Sequence, residues 1–311
     1  MWIDQHFNTL TGSVLAFSML LFNGACRTSV YGFLNARTQI FDFPGSCMQI
    51  TAHTPTVHLM GIEMLRGALD KSLINSLVTQ YWRVSVVDVT ASTQTDLASL
   101  ARAGKAKAGD VIAANYQNAG RGRLSRTFEA PKNSALLFSF YIEPKREKED
   151  WGWIALIAGA SVAQALDEVK ATVKWPNDIL VNEKKISGLI AEIVGDGVVI
   201  GIGINVGMSL EELPVLTATS LAIEGVSNTN RNEILAKVLS QFESNFSTWD
   251  EGDNSIAQIY TSLSSTLGTQ VQIHYPNEKI EKGIAVAISP RGELILDTGS
   301  HVQAGDVVHL R

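Results

Sequence analysis

Only two of the 311 residues are cysteine, and both, Cys26 and Cys47, lie near the N-terminus. Histidine is almost as scarce: His6, His53, His58, His274, His301 and His309 leave positions 59–273 with none. Chemistry housed in that middle stretch therefore excludes a cysteine nucleophile, a serine–histidine pair and a Cys/His zinc site. A disulfide framework is excluded on the same ground, which fits a reducing cytoplasm. No basic run of five or more residues occurs, and the formal net charge is −6, from 25 Lys+Arg against 31 Asp+Glu. That balance argues against a general nucleic-acid or membrane-surface binder. A Gly-x-x-x-x-Gly-Lys-Ser/Thr loop is absent, so the chain is not a P-loop NTPase. What is present is a 45% apolar chain, too apolar to be mostly disordered and long enough for two or three domains.

Residues 1–60 read differently from the rest. Ser13–Phe22 is apolar and runs into Asn23-Gly24-Ala25-Cys26, the outline of an export or lipoprotein signal. Against this, no Lys or Arg precedes the stretch, Asp4 does, and the run is far short of the roughly 20 residues that span a bilayer. The expectation is an unstructured extension or a misassigned start, with Met60 and Met64 as internal alternatives. The domains are then 1–60, a catalytic region 61–266 and a C-terminal region 267–311.

From Arg83 onward strand and helix signals alternate. Arg83–Thr90 has the β-branched richness of a strand, Ser92-Thr93 caps a helix over 94–103, and 111–116 reads as a strand. Ala135–Ile142 is a buried strand and Trp151–Val169 a helix. A meander follows through 172–174, 179–181, 186–194 and 198–206, with a hairpin at Asp196-Gly197. Leu235, Leu239, Phe242, Phe246 and Trp249 mark the core face of a second amphipathic helix. After Leu267-Gly268 only short strands separated by Gly or Pro turns remain. The pattern predicts an α+β fold: a mixed-sheet domain followed by a small β-barrel.

Three segments carry chemistry. In residues 115–132, Arg121, Arg123, Arg126 and Lys132 stand against Glu129 alone, and Gly120 and Gly122 alternate with the first two arginines. Glycine lets a backbone approach a ligand closely, and guanidinium groups bind carboxylate or phosphate with paired donors. The segment reads as an anion clamp, with a solvated basic loop or an Arg-Gly nucleic-acid segment as the alternatives. Lys174-Trp175-Pro176-Asn177-Asp178 sets a lysine at the end of an apolar strand. An ammonium is costly to desolvate unless an anion pairs with it, so Lys174 is either an anion ligand or a surface lysine on a hairpin. Gly201-Ile202-Gly203-Ile204-Asn205 is a glycine-spaced strand rather than a dinucleotide fingerprint, which would need a further Gly at position 206. Arg, Lys, Gly and Asn without His or Cys suit a reaction driven by positioning and charge neutralisation. Attack of a carboxylate on the α-phosphate of ATP is such a reaction.

Ser92-Thr93, Tyr116-Gln117, Gly120–Arg126, Lys174–Asp178, Lys185–Gly188 and Gly203-Ile204-Asn205 occur in an order and spacing that resemble the biotin–protein ligases. The resemblance covers about residues 80–311. It implies a biotin/lipoate ligase-like mixed-sheet domain followed by an SH3-like barrel. It implies too that biotin and MgATP give biotinyl-5′-AMP, whose acyl group passes to one lysine of a biotin carboxyl carrier protein. Carried over by position, Ser92, Thr93, Gln94, Gln117 and Lys174 hold biotin, and Gly120, Arg121, Gly122 and Arg123 close over biotin and the phosphates. Lys174, with Arg121 and Arg123, neutralises charge where the carboxylate meets the α-phosphate. Asn177 and Asn205 face the nucleotide, and Gly188 lies near the intermediate. No metal site of the protein's own is implied, Mg²⁺ arriving with ATP. A homodimer through the catalytic sheet is compatible with the family. Members that repress transcription carry an N-terminal helix-turn-helix. Residues 1–82 show no paired-helix pattern, so no nucleic-acid partner is expected. A lipoate–protein ligase and a non-catalytic biotin sensor are the competing readings. The chain departs from the family at Gln94, where Asn is common, at Ser125, where Gly is common, and at Phe128, where Trp is common.

Overall fold

The structure, a computed structural model, describes residues 15–19, 30–34, 66–123, 126–275 and 278–310. The chain divides into two units, 1–54 and 55–311. In the first, β1 (Leu15–Met19) pairs antiparallel with β2 (Val30–Leu34). The apolar stretch Ser13–Phe22 thus contains a strand, and the remaining expectations for residues 1–60, the internal starts included, lie outside the described residues.

The second unit begins with a helix that the sequence pattern missed, α1 (Lys71–Leu77), capped by Asp70, which accepts hydrogen bonds from the Ser72 and Leu73 amides. Then come β3 (Arg83–Thr90), α2 (Thr93–Arg102), β4 (Asp110–Gln117), β5 (Ala135–Ile142) and α3 (Gly152–Ala165). The meander follows as β6 (Ala171–Lys174), β7 (Asp178–Val181), β8 (Lys184–Val194) and β9 (Gly197–Asn205). Two helices close the domain, α4 (Arg231–Asp250) and α5 (Ile256–Leu263). The short α5 also escaped the sequence pattern, and α3 stops at Ala165, before the expected Val169.

Seven strands form one mixed sheet in the order β3-β4-β5-β9-β8-β7-β6. Only β3 and β4 run parallel, α2 providing their crossover. Strand β9 lies between β5 and β8 and is buried along its whole length. Because side chains alternate across a strand, its residues fall into two sets. Val198, Ile200, Ile202 and Ile204 join the main core with Phe138 and Phe140 of β5, Ile154 and Ile157 of α3, and Leu235 and Phe242 of α4. Val199 points the other way and packs with Leu97 and Ala98 of α2 and with Tyr141. Gly201 and Gly203 share that second face, so the glycine spacing strips side chains from one side of the sheet only.

Residues 266–310 add a separate antiparallel sheet: β10 (Gln270–His274), β11 (Ile280–Ile288), β12 (Leu294–Leu296), β13 (His301–Val302) and β14 (Asp306–His309), in the order β13-β12-β11-β10-β14. Two tryptophans dock it on the large-sheet domain: Trp153 Nε1 donates to the Ser289 carbonyl at 3.2 Å and Trp175 Nε1 to the Gly292 carbonyl at 3.3 Å. The close approach of α3 requires Gly152, because a Cβ there would lie 2.2 Å from the Arg291 carbonyl oxygen. This docking brings Asp306 to the edge of the large sheet's second face, where the cavity opens.

Candidate functional site

The bare stretch of sheet beside α2 is the floor of a cavity of about 120 Å³. At its inner end the polar atoms are neutral and buried. Ser92 caps α2, its hydroxyl accepting from the Thr95 amide at 3.4 Å. The Thr93 amide donates to Gln117 Oε1 at 2.7 Å, and the Thr93 hydroxyl lies 2.9 Å from Ser139 Oγ. Gln94 Nε2 donates to the Val199 carbonyl at 3.1 Å, which turns Oε1 toward Gly201. A Cβ at position 201 would sit 2.6 Å from that oxygen, so the amide fits only over glycine. Gln94 is 2% exposed, and its Oε1 has no hydrogen-bond partner. A buried acceptor without a donor costs free energy, so this oxygen calls for an N–H or O–H brought by a ligand.

The outer end is charged. Arg121, Arg123, Arg126 and Lys185 line it against two carboxylates, Asp178 and Asp306. The loop that carries the arginines doubles back on itself: the Gly122 amide donates to the Arg126 carbonyl at 2.7 Å and the Phe128 amide to the Gly120 carbonyl at 3.0 Å. A Cβ on Gly120 would lie 2.3 Å from the Phe128 carbonyl oxygen, which explains the glycine. The ring of Phe128, the residue that stands in place of Trp, covers Gly203, where a Cβ would approach it to 2.7 Å. Ser125 lies outside the described residues.

The cations are held in different ways. Lys185 Nζ pairs with Asp178 Oδ1 at 2.6 Å, and Arg126 pairs with Asp306. Arg121 NH1 reaches Glu192 Oε2 at 3.3 Å. Arg123 NH1 donates to a neutral acceptor, Asn177 Oδ1, at 3.0 Å, while Asn177 Nδ2 is fixed by the Leu189 carbonyl at 2.9 Å. Burial pulls the Arg123 guanidinium below its ordinary pKa.

Among the residues singled out from sequence, Ser92, Thr93, Gln94, Gln117, Arg121, Gly122, Arg123, Asn177 and Gly188 meet on the cavity wall, and Gly120 shapes the loop behind it. Two do not. Lys174 ends β6 opposite Asp178 and does not itself line the wall, but the wall residues Asp178, Lys185, Asp306 and Arg126 act on its charge; it is half-buried, and desolvation lowers its pKa. Asn205, at the end of β9 on the same face as Gly201 and Gly203, is buried and does not line the wall; its Nδ2 donates to the Thr219 carbonyl at 2.9 Å and anchors the chain after β9. The lysine on the wall is Lys185, which sequence reasoning quoted within a motif without assigning it a role. Its signal was the following Gly188: a Cβ there would lie 2.9 Å from Lys185 Cε and Nζ, so the glycine makes room for the side chain. Leu137 and Ser139 of β5 were also missed, because β5 reads as a strand buried along its whole length with no signal for one face.

Sheet order, bare floor and cationic rim define the class first: the Biotin/lipoate A/B protein ligase family matches residues 86–209, and the Biotin protein ligase C terminal domain matches residues 266–310. The biotin–[acetyl-CoA-carboxylase] ligase of Mycobacterium tuberculosis is 35% identical over 263 residues, covering 80% of this chain and 98% of that one. The bifunctional ligase/repressor BirA of Bacillus subtilis is 29% identical over 228 residues, 70% of each chain. The biotin protein ligase from Aquifex aeolicus, solved with biotin and ATP, superposes with a TM-score of 0.63 at 29% identity, covering 73% of this chain and 98% of that one. The chain belongs to the biotin–protein ligase family. Among the described residues no helix is long and apolar enough to cross a membrane.

Proposed function

We propose that the chain is a biotin–protein ligase that joins biotin to ATP as biotinyl-5′-AMP, with release of pyrophosphate, and then passes biotin to a carrier-protein lysine. The observation that carries this reading is one cavity with a neutral, hydrogen-bonding inner end and a cationic outer end. A cyclic urea offers two N–H donors and one acceptor, which match Gln94 Oε1 and the hydroxyls of Thr93 and Ser139. Lipoate has no such donors for the orphaned Gln94 oxygen.

In the first step a biotin carboxylate oxygen attacks the α-phosphorus as the bond to pyrophosphate breaks. The nucleophile needs no base, and the barrier is the approach of two anions. Lys185, at the end of the floor, is the ammonium best set to neutralise that junction once it leaves Asp178, and Arg123, preset on Asn177, faces the phosphates beside it. We assign to Lys185 the role that sequence alone gave to Lys174. Among the described residues no group of three His, Cys, Asp or Glu could hold a metal. Asp178 and Asp306, the two carboxylates on the cavity wall, would hold Mg²⁺ that arrives with the triphosphate and keeps most of its waters. Bound so, Mg²⁺ would offset phosphate charge. In the second step a deprotonated carrier lysine attacks the acyl carbon and AMP leaves.

The same reading has the five C-terminal strands closing as an SH3-like barrel, a homodimer through the catalytic sheet, cytoplasmic residence and no nucleic-acid partner, as the acidic charge favours. Its test is incubation with MgATP, a carrier domain and either biotin or lipoate. Streptavidin-detected carrier with biotin alone supports it. Modification by lipoate, or biotin binding with no ATP-dependent product, overturns it.

A further inference from the structure

The two arginines that alternate with glycine in the loop sit on different kinds of partner. Arg123 rests on a neutral acceptor, the amide oxygen of Asn177, with Asp178 and Asp306 acting on it only through space. Arg121 rests on a carboxylate, Glu192 of β8, which is not itself on the cavity wall. The other oxygen of Glu192 is taken by Arg102, in the last turn of α2. One carboxylate is therefore divided between a cavity arginine and an arginine outside the cavity. With 49% of the Arg121 side chain exposed, its bond to Glu192 is weak and exchangeable. A guanidinium meets a phosphate best through paired donors, so full engagement of Arg121 requires it to leave Glu192.

We infer that Glu192 is a positioning residue for Arg121: it holds the guanidinium at the cavity rim and competes with the phosphate-bearing reactant for it, while Arg102 weakens that competition by sharing the carboxylate. This inference rests on the reading that Arg121 faces the phosphates of ATP. The two neighbours act in opposite directions. Glu192→Gln keeps the size of the side chain and removes its charge, so Arg121 is released to ATP. Arg102→Ala leaves the whole carboxylate to Arg121, so ATP must displace a stronger partner.

The test is steady-state pyrophosphate release by the full chain with saturating biotin and varied MgATP, at low and high salt. Glu192→Gln lowers KM for ATP about two- to fivefold, the range of an exposed ion pair, with a smaller change in kcat. Arg102→Ala raises KM, and the double variant matches Glu192→Gln alone. All three differences shrink at high salt, where exposed pairs are screened. Arg121→Ala separates the two levels. If it leaves KM for ATP unchanged, the reading of Arg121 fails and the inference with it. If Arg121→Ala raises KM but Glu192→Gln does not lower it, the inference alone is overturned. A rise from Arg102→Ala that persists in the Glu192→Gln background also overturns it, since Arg102 would then act through its own field.

Discussion

At the α2 end of the cavity Ser92, Thr93, Gln94 and Ser139 are at most 3% exposed. At the rim Arg121 and Arg126 keep 49% and 66% of their side chains exposed. The inner end achieves polarity without charge, because a desolvated ion would cost far more than a hydrogen-bonded amide or hydroxyl. The rim can carry charge because water and nearby carboxylates share the load until a ligand arrives. On the proposed reading, the inner end selects by the direction of hydrogen bonds and by space, and the rim by charge.

That contrast can be broken most sharply at the junction of the two halves. Lys185→Ala is expected to lower pyrophosphate release by about 10²–10³, the loss typical of one preset charge-stabilising donor. Lys174→Ala, two strands away on the edge strand β6, should lower it by less than about tenfold on the same scale. Reversed ranks in a side-by-side assay would return the role to Lys174. On the floor, Gly201→Ala brings a methyl against Gln94 Oε1. Overpacking of this kind should weaken biotin binding by roughly 10–100-fold, read by calorimetry, with KM for ATP moving much less.

A smaller effect tests the orphaned acceptor. Gln94→Met preserves length and removes the amide. It should weaken biotin roughly five- to tenfold, the worth of one buried hydrogen bond. Thermal unfolding should shift little, since the variant loses one bond to Val199 and one unsatisfied oxygen together. Unchanged biotin affinity would take Gln94 out of the recognition set. The smallest effect spans both halves: between low and about 0.5 M salt, affinity for ATP should fall several-fold while biotin binding stays nearly constant. Equal salt sensitivity would erase the distinction between rim and floor.

Much of this was legible in the chain because it depends on local rules. The alternation in β9 announced a strand bare on one face, and Ser92 announced the start of α2. The absence of His and Cys from 59–273 announced a reaction without a covalent enzyme intermediate on those groups. The short helices α1 and α5 were not legible, since few turns give a weak periodic signal and their stability comes from packing. Nor was the place of Lys185 on the cavity wall, which depends on β8 being an inner strand and on Gly188 leaving room for the lysine side chain.

The sequence by itself determined the parts of the candidate site: arginines interleaved with glycine, a neutral polar turn at the head of α2, and a strand with one face bare. These follow from neighbours a few residues apart, where backbone geometry sets the outcome. Only the tertiary structure decided which charges meet. Glu192 lies 71 residues from Arg121 and 90 from Arg102, and Asp306 lies 180 from Arg126. Pairings of that reach are set by strand order and by the docking of the C-terminal sheet, and Coulomb attraction between side chains is too short-ranged in water to leave a trace in local sequence.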